Sequence, residues 1–498
     1  MRLLTVLVCV LLISSCVEQK YDLIIRGATV IDGSGGASFL GDVGVNADTI
    51  AFIGDLSKAV AVKDIDATGL MLSPGFIDTH SHHDRGMFET RSMIALTSQG
   101  VTTMIVGQDG GSQYPLSVFL AKVDSLPVAL NVGSYTGHNR IRRDALGENF
   151  QRQSTPSEIE SMIKMLQADL DAGSLGLSTG LEYDPGVYST KEEVMELAKV
   201  LKPNGARYIS HIRSEDRALW DALDEIINIG SATGVPVQIS HAKLAMKSLW
   251  GKSNQMIEKL DSARTAGVDI TADIYPYQYW QSSMRAVFFP DRDFKNRKSA
   301  EFALSELTTP EGILINNYSP DESYVGKTLR EVADIRGTDA VQALLDLVEW
   351  VEREQGDESI IATSMVEEDI KKIMQWDYTN ICSDGNSDGL HPRGHGSFTK
   401  ILRYYVREEN TLSLEEAIHK MTAQAAENLN LAKRGMIAVG FKADLVIFDE
   451  QLVADQATSA QPHAQSVGIM SVMVNGVEVI RDGISTNQFP GKAIRRVK

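Results

Sequence analysis

The apolar, proline-started segment Ser73-Pro74-Gly75-Phe76-Ile77-Asp78-Thr79 runs straight into His80-Ser81-His82-His83-Asp84. If Gly75 to Thr79 is a strand, alternate side chains share a face, so His80 and His82 point the same way and make half of a metal site. A histidine pair hydrogen-bonded as structural filler would look the same in isolation, so the reading turns on what ends the other apolar runs. Those runs finish in Gln108-Asp109, Gly137-His138, Glu182-Tyr183, His211, His241-Ala242-Lys243, Asp273-Ile274-Tyr275 and Ser383-Asp384-Gly385. Scattered structural histidines and aspartates would have no reason to gather at strand ends, where barrel active sites lie. His419 and His463, outside this pattern, read as surface or packing residues.

Imidazole nitrogens together with carboxylate oxygens suit zinc or another borderline divalent ion, and such an ion with one open position makes a bound water acidic near neutral pH. Asp384, after the last run, is placed to carry a proton: it can accept one as water attacks a carbonyl and pass it to a leaving nitrogen. Ser-Asp-Gly is also an ordinary turn composition.

The elements that must position these residues are the runs themselves: Met71 to Thr79, Gly100 to Val106, Val128 to Val132, Ser174 to Ser178, Ala206 to Ser210, Val235 to Ser240, Val268 to Ala272 and Asn380 to Cys382. Helical patterns follow most of them. Ser157 to Leu170 has apolar residues at helical spacing, and Thr190-Lys191-Glu192-Glu193 reads as a capping box. Repeated strand-helix alternation predicts an α/β fold, a parallel (β/α)8 barrel of the TIM type, over residues 71–435. An open doubly wound sheet is the competing architecture, but it would normally show a glycine-rich dinucleotide turn after its first strand. Short β-rich runs with turn signals fill residues 21–70 and return in 436–498, with Asn475-Gly476 as a hairpin turn, so both chain ends are expected to build one small β-sandwich domain. The stretch between Tyr279 and Asn380 is too long for a barrel loop and is expected to hold an inserted subdomain at about 285–350, before the last barrel strand.

Residues 1–20 open with one arginine, a short apolar run and small residues, an export signal rather than a membrane span. Ile13-Ser14-Ser15-Cys16 resembles a bacterial lipobox, so Cys16 is the expected lipidation site and the folded body is expected in the cell envelope, facing the periplasm, with membrane contact only through the lipid. Cys382 is then the one cysteine left after Cys9 departs with the signal, and no intramolecular disulfide can form. The 43% hydrophobic content allows a large core, and the formal net charge of -18 disfavours nucleic acid and anionic membrane surfaces as partners.

Pro74 to His82, His211, His241, the Asp384 turn and the two-ended β domain resemble the amidohydrolase superfamily. Within it, Gly176-Leu177-Ser178-Thr179-Gly180-Leu181, His211-Ile212-Arg213-Ser214-Glu215, Gln238-Ile239-Ser240-His241-Ala242-Lys243, Asp273-Ile274-Tyr275-Pro276-Tyr277 and His391-Pro392-Arg393-Gly394-His395-Gly396 are similar to the N-acyl-D-amino-acid deacylases, or D-aminoacylases. The resemblance implies zinc, as one or two ions or another divalent metal, held by His80, His82, His211 and His241. It also implies Asp384 as acid and base, and Lys243, Tyr275 and Arg393 holding the substrate carboxylate. A cation and a phenol are what an α-carboxylate needs, and arginine can grip it with two bonds; the plain alternative for Lys243 and Arg393 is a solvated surface charge. The better-known members of the family have a cysteine thiolate where this chain has Asp109, so Asp109 would put a harder carboxylate in the ligand set. No lysine ends the fourth run, so no carboxylated-lysine bridge is expected. His138 is left as a residue behind the ligands or against the substrate.

The function expected is hydrolysis of the amide of an N-acyl-D-amino acid, a small molecule, to a carboxylate and a free D-amino acid. A dipeptidase or cyclic-amide hydrolase of the same superfamily, or a catalytically silent lipid-anchored binding protein, would use the same frame. Side-chain choice is expected to depend on Gln278 to Arg285 and on the insert.

Overall fold

The computed structural model of the protein describes residues 20–497. The expected export signal and the expected lipidation site Cys16 lie outside the described residues. Eight parallel strands build the barrel: β1 (Phe76–Asp78), β2 (Val101–Val106), β3 (Asn131–Ser134, resuming as Thr136–Gly137), β4 (Gly176–Gly180), β5 (Arg207–His211), β6 (Val237–Ile239), β7 (Ile270–Ile274) and β8 (Thr379–Ile381). Each pairs with its neighbour in chain order, and the two segments of β3 link the arc β1–β2–β3 to the arc running on to β8. The ring closes just beyond the strands: the Asp384 amide donates to the His80 carbonyl and the His82 amide to the Gly385 carbonyl, both at 2.8 Å. Below them the buried Asp78 carboxylate accepts from the backbone and the hydroxyl of Ser383 at 2.8 and 2.6 Å. Barrel strands are covered on both sides, which is why they read in the sequence as near-continuous apolar runs.

Helices alternate with these strands, among them Leu116–Ser125, Pro156–Ala172, Lys191–Lys199, Leu219–Thr233, Ser253–Thr265 and Glu367–Gln375. Thr155 and Glu158 form a reciprocal capping box at the start of Pro156–Ala172. The box expected at Thr190 is only half made. Thr190 accepts from the Glu193 amide, but the Glu193 carboxylate turns inward to His138, Arg142 and Ser154 at 2.8–2.9 Å. A buried guanidinium and imidazole lose far more without that charge than an exposed helix end does. His138 is therefore occupied by this ion cluster and does not line the site cavity.

The two chain ends meet in one nine-stranded sheet. Lys20–Val30, Phe39–Asn46, Thr49–Gly54, Val60–Asp66 and Met71–Pro74 come from one side of the barrel, and Leu445–Phe448, Ile469–Val474, Val477–Arg481 and Ile484–Ser485 from the other. Ile25, Val30, Val43, Ile50, Leu72, Leu445, Ile447 and Met473 form its core. Met71–Pro74, expected as the start of the first barrel strand, belongs to this sheet instead and pairs with Leu445–Phe448. The chain crosses to the barrel at Gly75, where a Cβ would lie 2.2 Å from the Thr102 side chain. Asn475 and Gly476 both have positive φ, the conformation a tight hairpin turn needs. The Asn475 amide also donates to Asn131 in β3 at 2.8 Å, tying the sheet to the barrel.

The insert is wider than the expected 285–350. Its sheet begins with Tyr279–Ser282, immediately after β7, and Glu358–Thr363 pairs with both that strand and Ile313–Tyr318. Helices Leu329–Arg336 and Ala340–Glu354 cover it. Because the first insert strand starts at the barrel rim, Trp280, Gln281 and Ser282 stand over the mouth.

Candidate active site

A cavity of about 490 Å³ opens at the carboxyl ends of the barrel strands, lined by His82, Asp109, His211, His241, Lys243, Asp384 and Arg393, whereas His80 and Tyr275 are buried and do not line it. His80 and His82 leave β1 with their Nε2 atoms on a common target: Asp109 Oδ2 lies 3.4 Å from His80 and 3.2 Å from His82, and Asp384 Oδ1 lies at the same two distances. His241 Nε2 is 3.3 Å from the other Asp109 oxygen, and His211 Nδ1 is 3.1 Å from His241 Nε2. Asp109, His241 and Asp384 all have φ between 35° and 51°. That left-handed backbone is costly for a side-chain-bearing residue, and here it aims three functional groups inward from the turns after β2, β6 and β8.

The donors fit a divalent cation. Tetrahedral ligands about 2.0–2.1 Å from an ion lie about 3.3–3.4 Å from one another, which is the spacing of these nitrogens and oxygens. Neither ring nitrogen of the fully buried His80 has a hydrogen-bonding partner among the described residues. Such an orphaned buried group is expensive unless something else fills the role. His80, His82, Asp109, His211 and His241 would hold the metal, with Asp384 facing it.

Carboxylates stand behind the deep histidines, and the sequence reading did not assign them. His211 Nε2 meets Glu182 at 3.0 Å, His241 Nδ1 meets Glu215 at 2.9 Å, and His80 Nδ1 faces Asp273 at 3.8 Å. A carboxylate on the far ring nitrogen fixes the tautomer and frees the near nitrogen as a lone pair, the usual support for metal-binding imidazoles. Glu182 and Asp273 had a signal, since both end strands. Glu215 lies in the loop after His211, where spacing alone could not distinguish it from solvated charge.

The charges are strongly coupled. Burial works against ionising Asp109, Asp384, His80 and His241, but these groups hold one another charged, whereas at Glu182 burial wins and raises the carboxyl. Asp109 is pulled well below the ordinary carboxylate range by His80 and His241. Asp384 is also lowered, against its burial, chiefly by Arg393 and then by His241 and His80. His80 is raised well above its ordinary value although burial opposes it, through Asp109 and Asp273. His241 is raised to about 9 against burial and Lys243, by Glu215, Asp109 and Asp384.

Lys243 and Arg393 are buried rather than surface charges. Lys243 Nζ bonds both oxygens of Glu215 at 2.7 and 2.8 Å, and Arg393 Nη1 bonds Asp384 Oδ2 at 2.5 Å. The Tyr275 ring is near both, its centre 5.8 Å from Lys243 Nζ and 4.8 Å from the Arg393 guanidinium carbon. The Tyr275 hydroxyl and Arg393 Nε have no partner among the described residues. His419 and His463 lie elsewhere, on the carbonyls of Gly33 and Gly389. Cys382 is buried and 3.4 Å from Asp273, and burial pushes its thiol well up, so it is neither a ligand nor a nucleophile here.

A parallel barrel with buried histidines and aspartates converging at its carboxyl mouth, spaced as a divalent ion would need, is the frame of a metal-dependent hydrolase. The chain matches the Amidohydro_3 model of the amidohydrolase family over residues 63–303 and 319–480. It is 36% identical over 503 residues to an N-acyl-D-glutamate deacylase of Alcaligenes xylosoxydans xylosoxydans, covering 96% of this chain and 97% of that protein. To a D-aminoacylase of the same organism it is 33% identical over 504 residues, covering 96% and 98%. The crystal structure of N-acyl-D-glutamate deacylase from Bordetella bronchiseptica, complexed with zinc and a phosphonate inhibitor that mimics the tetrahedral intermediate, matches with a TM-score of 0.86 at 33% identity, covering 96% of this chain and all of that one. The protein belongs to the amidohydrolase family, in its N-acyl-D-amino-acid deacylase branch.

His241, raised to about 9, is protonated at neutral pH without metal, and the upward shifts of His80 and His82 act in the same direction, so an ion must displace protons. Metal affinity is therefore expected to rise as pH increases towards about 9, the value for His241. Calorimetric titration of the metal-free protein at pH 7, in buffers of different ionisation enthalpy, should register net proton release. Heats independent of the buffer would contradict these charge states.

Proposed function

We propose that the protein is a zinc-dependent deacylase that hydrolyses N-acyl-D-amino acids, with the substrate carboxylate held by Lys243, Arg393 and Tyr275. The observation that carries this reading is the convergence of these three donors beside the ligand cluster, two of their polar atoms buried and unpaired. A carboxylate anchored there supplies the missing partners. It also places the adjacent amide within the cavity that Asp384 lines.

The histidines and Asp109 would hold a divalent ion, which would supply Lewis-acid chemistry to the carbonyl and the attacking water. Asp384 takes the proton released as water adds to the acyl carbon and delivers it to the departing nitrogen, so the C–N bond breaks to a carboxylate and a free amine. The turn after β8 fixes Asp384 for this by the bond from its amide to the His80 carbonyl. Trp280, Gln281, Ser282, Ala245 and Val287 give the cavity an uncharged wall.

The export-signal pattern and Ile13-Ser14-Ser15-Cys16 support placement in the bacterial envelope, anchored through lipid on Cys16. No helix among the described residues is long and apolar enough to cross a membrane. Labelled palmitate fed to expressing cells should enter the full-length protein and be lost in Cys16→Ser; equal labelling of both would refute the anchor.

Asp384→Asn is expected to lower kcat on N-acetyl-D-leucine by about a hundredfold or more with bound metal unchanged. Lys243→Met should instead act mainly on KM, raising it about tenfold, and should leave unchanged the slow cleavage of an N-acetyl amine lacking the carboxylate. Full activity in Asp384→Asn, or equal losses on both kinds of substrate in Lys243→Met, would sink the assigned roles.

A further inference from the structure

We infer that the acyl group preferred by this site is itself an amino acid, joined through its side-chain carboxyl, whose free ammonium and carboxylate are received by Asp84 and Arg85 at the cavity rim. The inference rests on the deacylase reading and specifies which acylated D-amino acids the site takes. Most charged side chains lining the cavity are already paired. Glu182 meets His211, Glu215 meets Lys243, Asp216 meets Arg217, Arg393 meets Asp384, and His82 and His241 face Asp109. The side chains of Asp84 and Arg85 line the same cavity but have no ion-pair or hydrogen-bond partner among the described residues, and they do not pair with each other. Arg85 is exposed and Asp84 half-buried. Their short segment is pinned on both sides, by the buried Met87 and by His83, whose ring nitrogens lie 2.9 Å from Ser81 Oγ and 3.2 Å from the Gly394 carbonyl. Two opposite charges are thus held at the rim with nothing in the chain to answer them.

The way a substrate fills the cavity puts its acyl group beside them. With the α-carboxylate on Lys243, Tyr275 and Arg393, the insert strand that follows β7 borders the amino-acid side chain. The lining left for the acyl group is the pair of loops after β1 and β2, which carry Asp84, Arg85, Ser112 and Gln113, and β2 faces β6 across the ring. This lining is polar throughout. The Gln113 side chain has no partner among the described residues, and Ser112 Oγ accepts from the Gly137 amide at 2.9 Å, which leaves its own proton free. A plain alkyl acyl group would answer none of these groups. A dicarboxylic acyl group would satisfy Arg85 but meet repulsion from Asp84, whereas a zwitterionic end gives each charge a charge-assisted bond. Hydrolysis then adds water across the C–N bond, restoring the side-chain carboxylate of the acyl amino acid and releasing the D-amino acid as a free amine.

The test compares kcat/KM of the zinc-loaded protein for N-acetyl-D-leucine, N-glutaryl-D-leucine and γ-glutamyl-D-leucine, the last in both glutamyl configurations. The glutaryl and γ-glutamyl compounds differ only in the ammonium. The better γ-glutamyl substrate is expected to exceed the acetyl one by about tenfold or more, through KM, with the glutaryl one below it. Arg85→Met should bring the γ-glutamyl to acetyl ratio close to one, and Asp84→Asn should bring the γ-glutamyl and glutaryl values together. Ratios within one variant do not depend on how much of it folds. A wild-type ratio of one or less, or a ratio unchanged in Arg85→Met, would overturn the inference and leave the deacylase reading standing. Release of leucine from none of the substrates would remove that reading and the inference with it.

Discussion

The carboxylate of Asp109 lies among three imidazoles at the barrel mouth, largely out of water and on a strained backbone. Buried charge of this density is tolerated only when each member is paired, because an unpaired one costs several kcal/mol. The surrounding structure follows from that need. Asp273, Glu182 and Glu215 lie against the outer nitrogens of the histidines, Lys243 balances Glu215, and Arg393 balances Asp384. These residues come from β1, β2, β4, β5, β6, β7 and β8 or the turns after them, so the closed ring of strands brings the cluster together.

The same pairing would prepare the proposed substrate site. Lys243 and Arg393 are held in place by their carboxylates before any substrate arrives, so little side-chain freedom is lost on binding. The cost is competition, since an incoming carboxylate must draw part of each cation's bonding away from Glu215 and Asp384. Unused donors at Tyr275 and Arg393 Nε let it do so without stripping those pairs bare. The insert completes the enclosure, because its first strand begins where β7 ends and lays Trp280 to Ser282 across the mouth.

Much of this was legible in the sequence for a physical reason. Barrel strands are buried on both faces and stand out as apolar runs, and polar residues at their ends have one place to go. His80, His82, Asp109, His211, His241 and Asp384 were found that way, and the long motifs that resemble the deacylases added Lys243, Tyr275 and Arg393. What escaped depended on partners distant in sequence. Glu193 reads locally as half of a capping box, yet it is claimed by Arg142 and His138. Glu215 acquires its role only through Lys243 and His241, twenty-eight and twenty-six residues away. Met71–Pro74 reads as continuous with β1, and only packing reveals that the chain changes sheets at Gly75.

The central claim is that metal cluster and carboxylate clamp act together on one enantiomer of an N-acylated amino acid. The most direct measurement is amino-acid release by the zinc-loaded protein from matched N-acetyl-D- and N-acetyl-L-leucine, repeated after chelation and after zinc is restored. Turnover of the D substrate alone, abolished by chelation and recovered with zinc, is the predicted result. Cleavage of neither enantiomer by protein with its full complement of zinc, or equal cleavage of both, would contradict it.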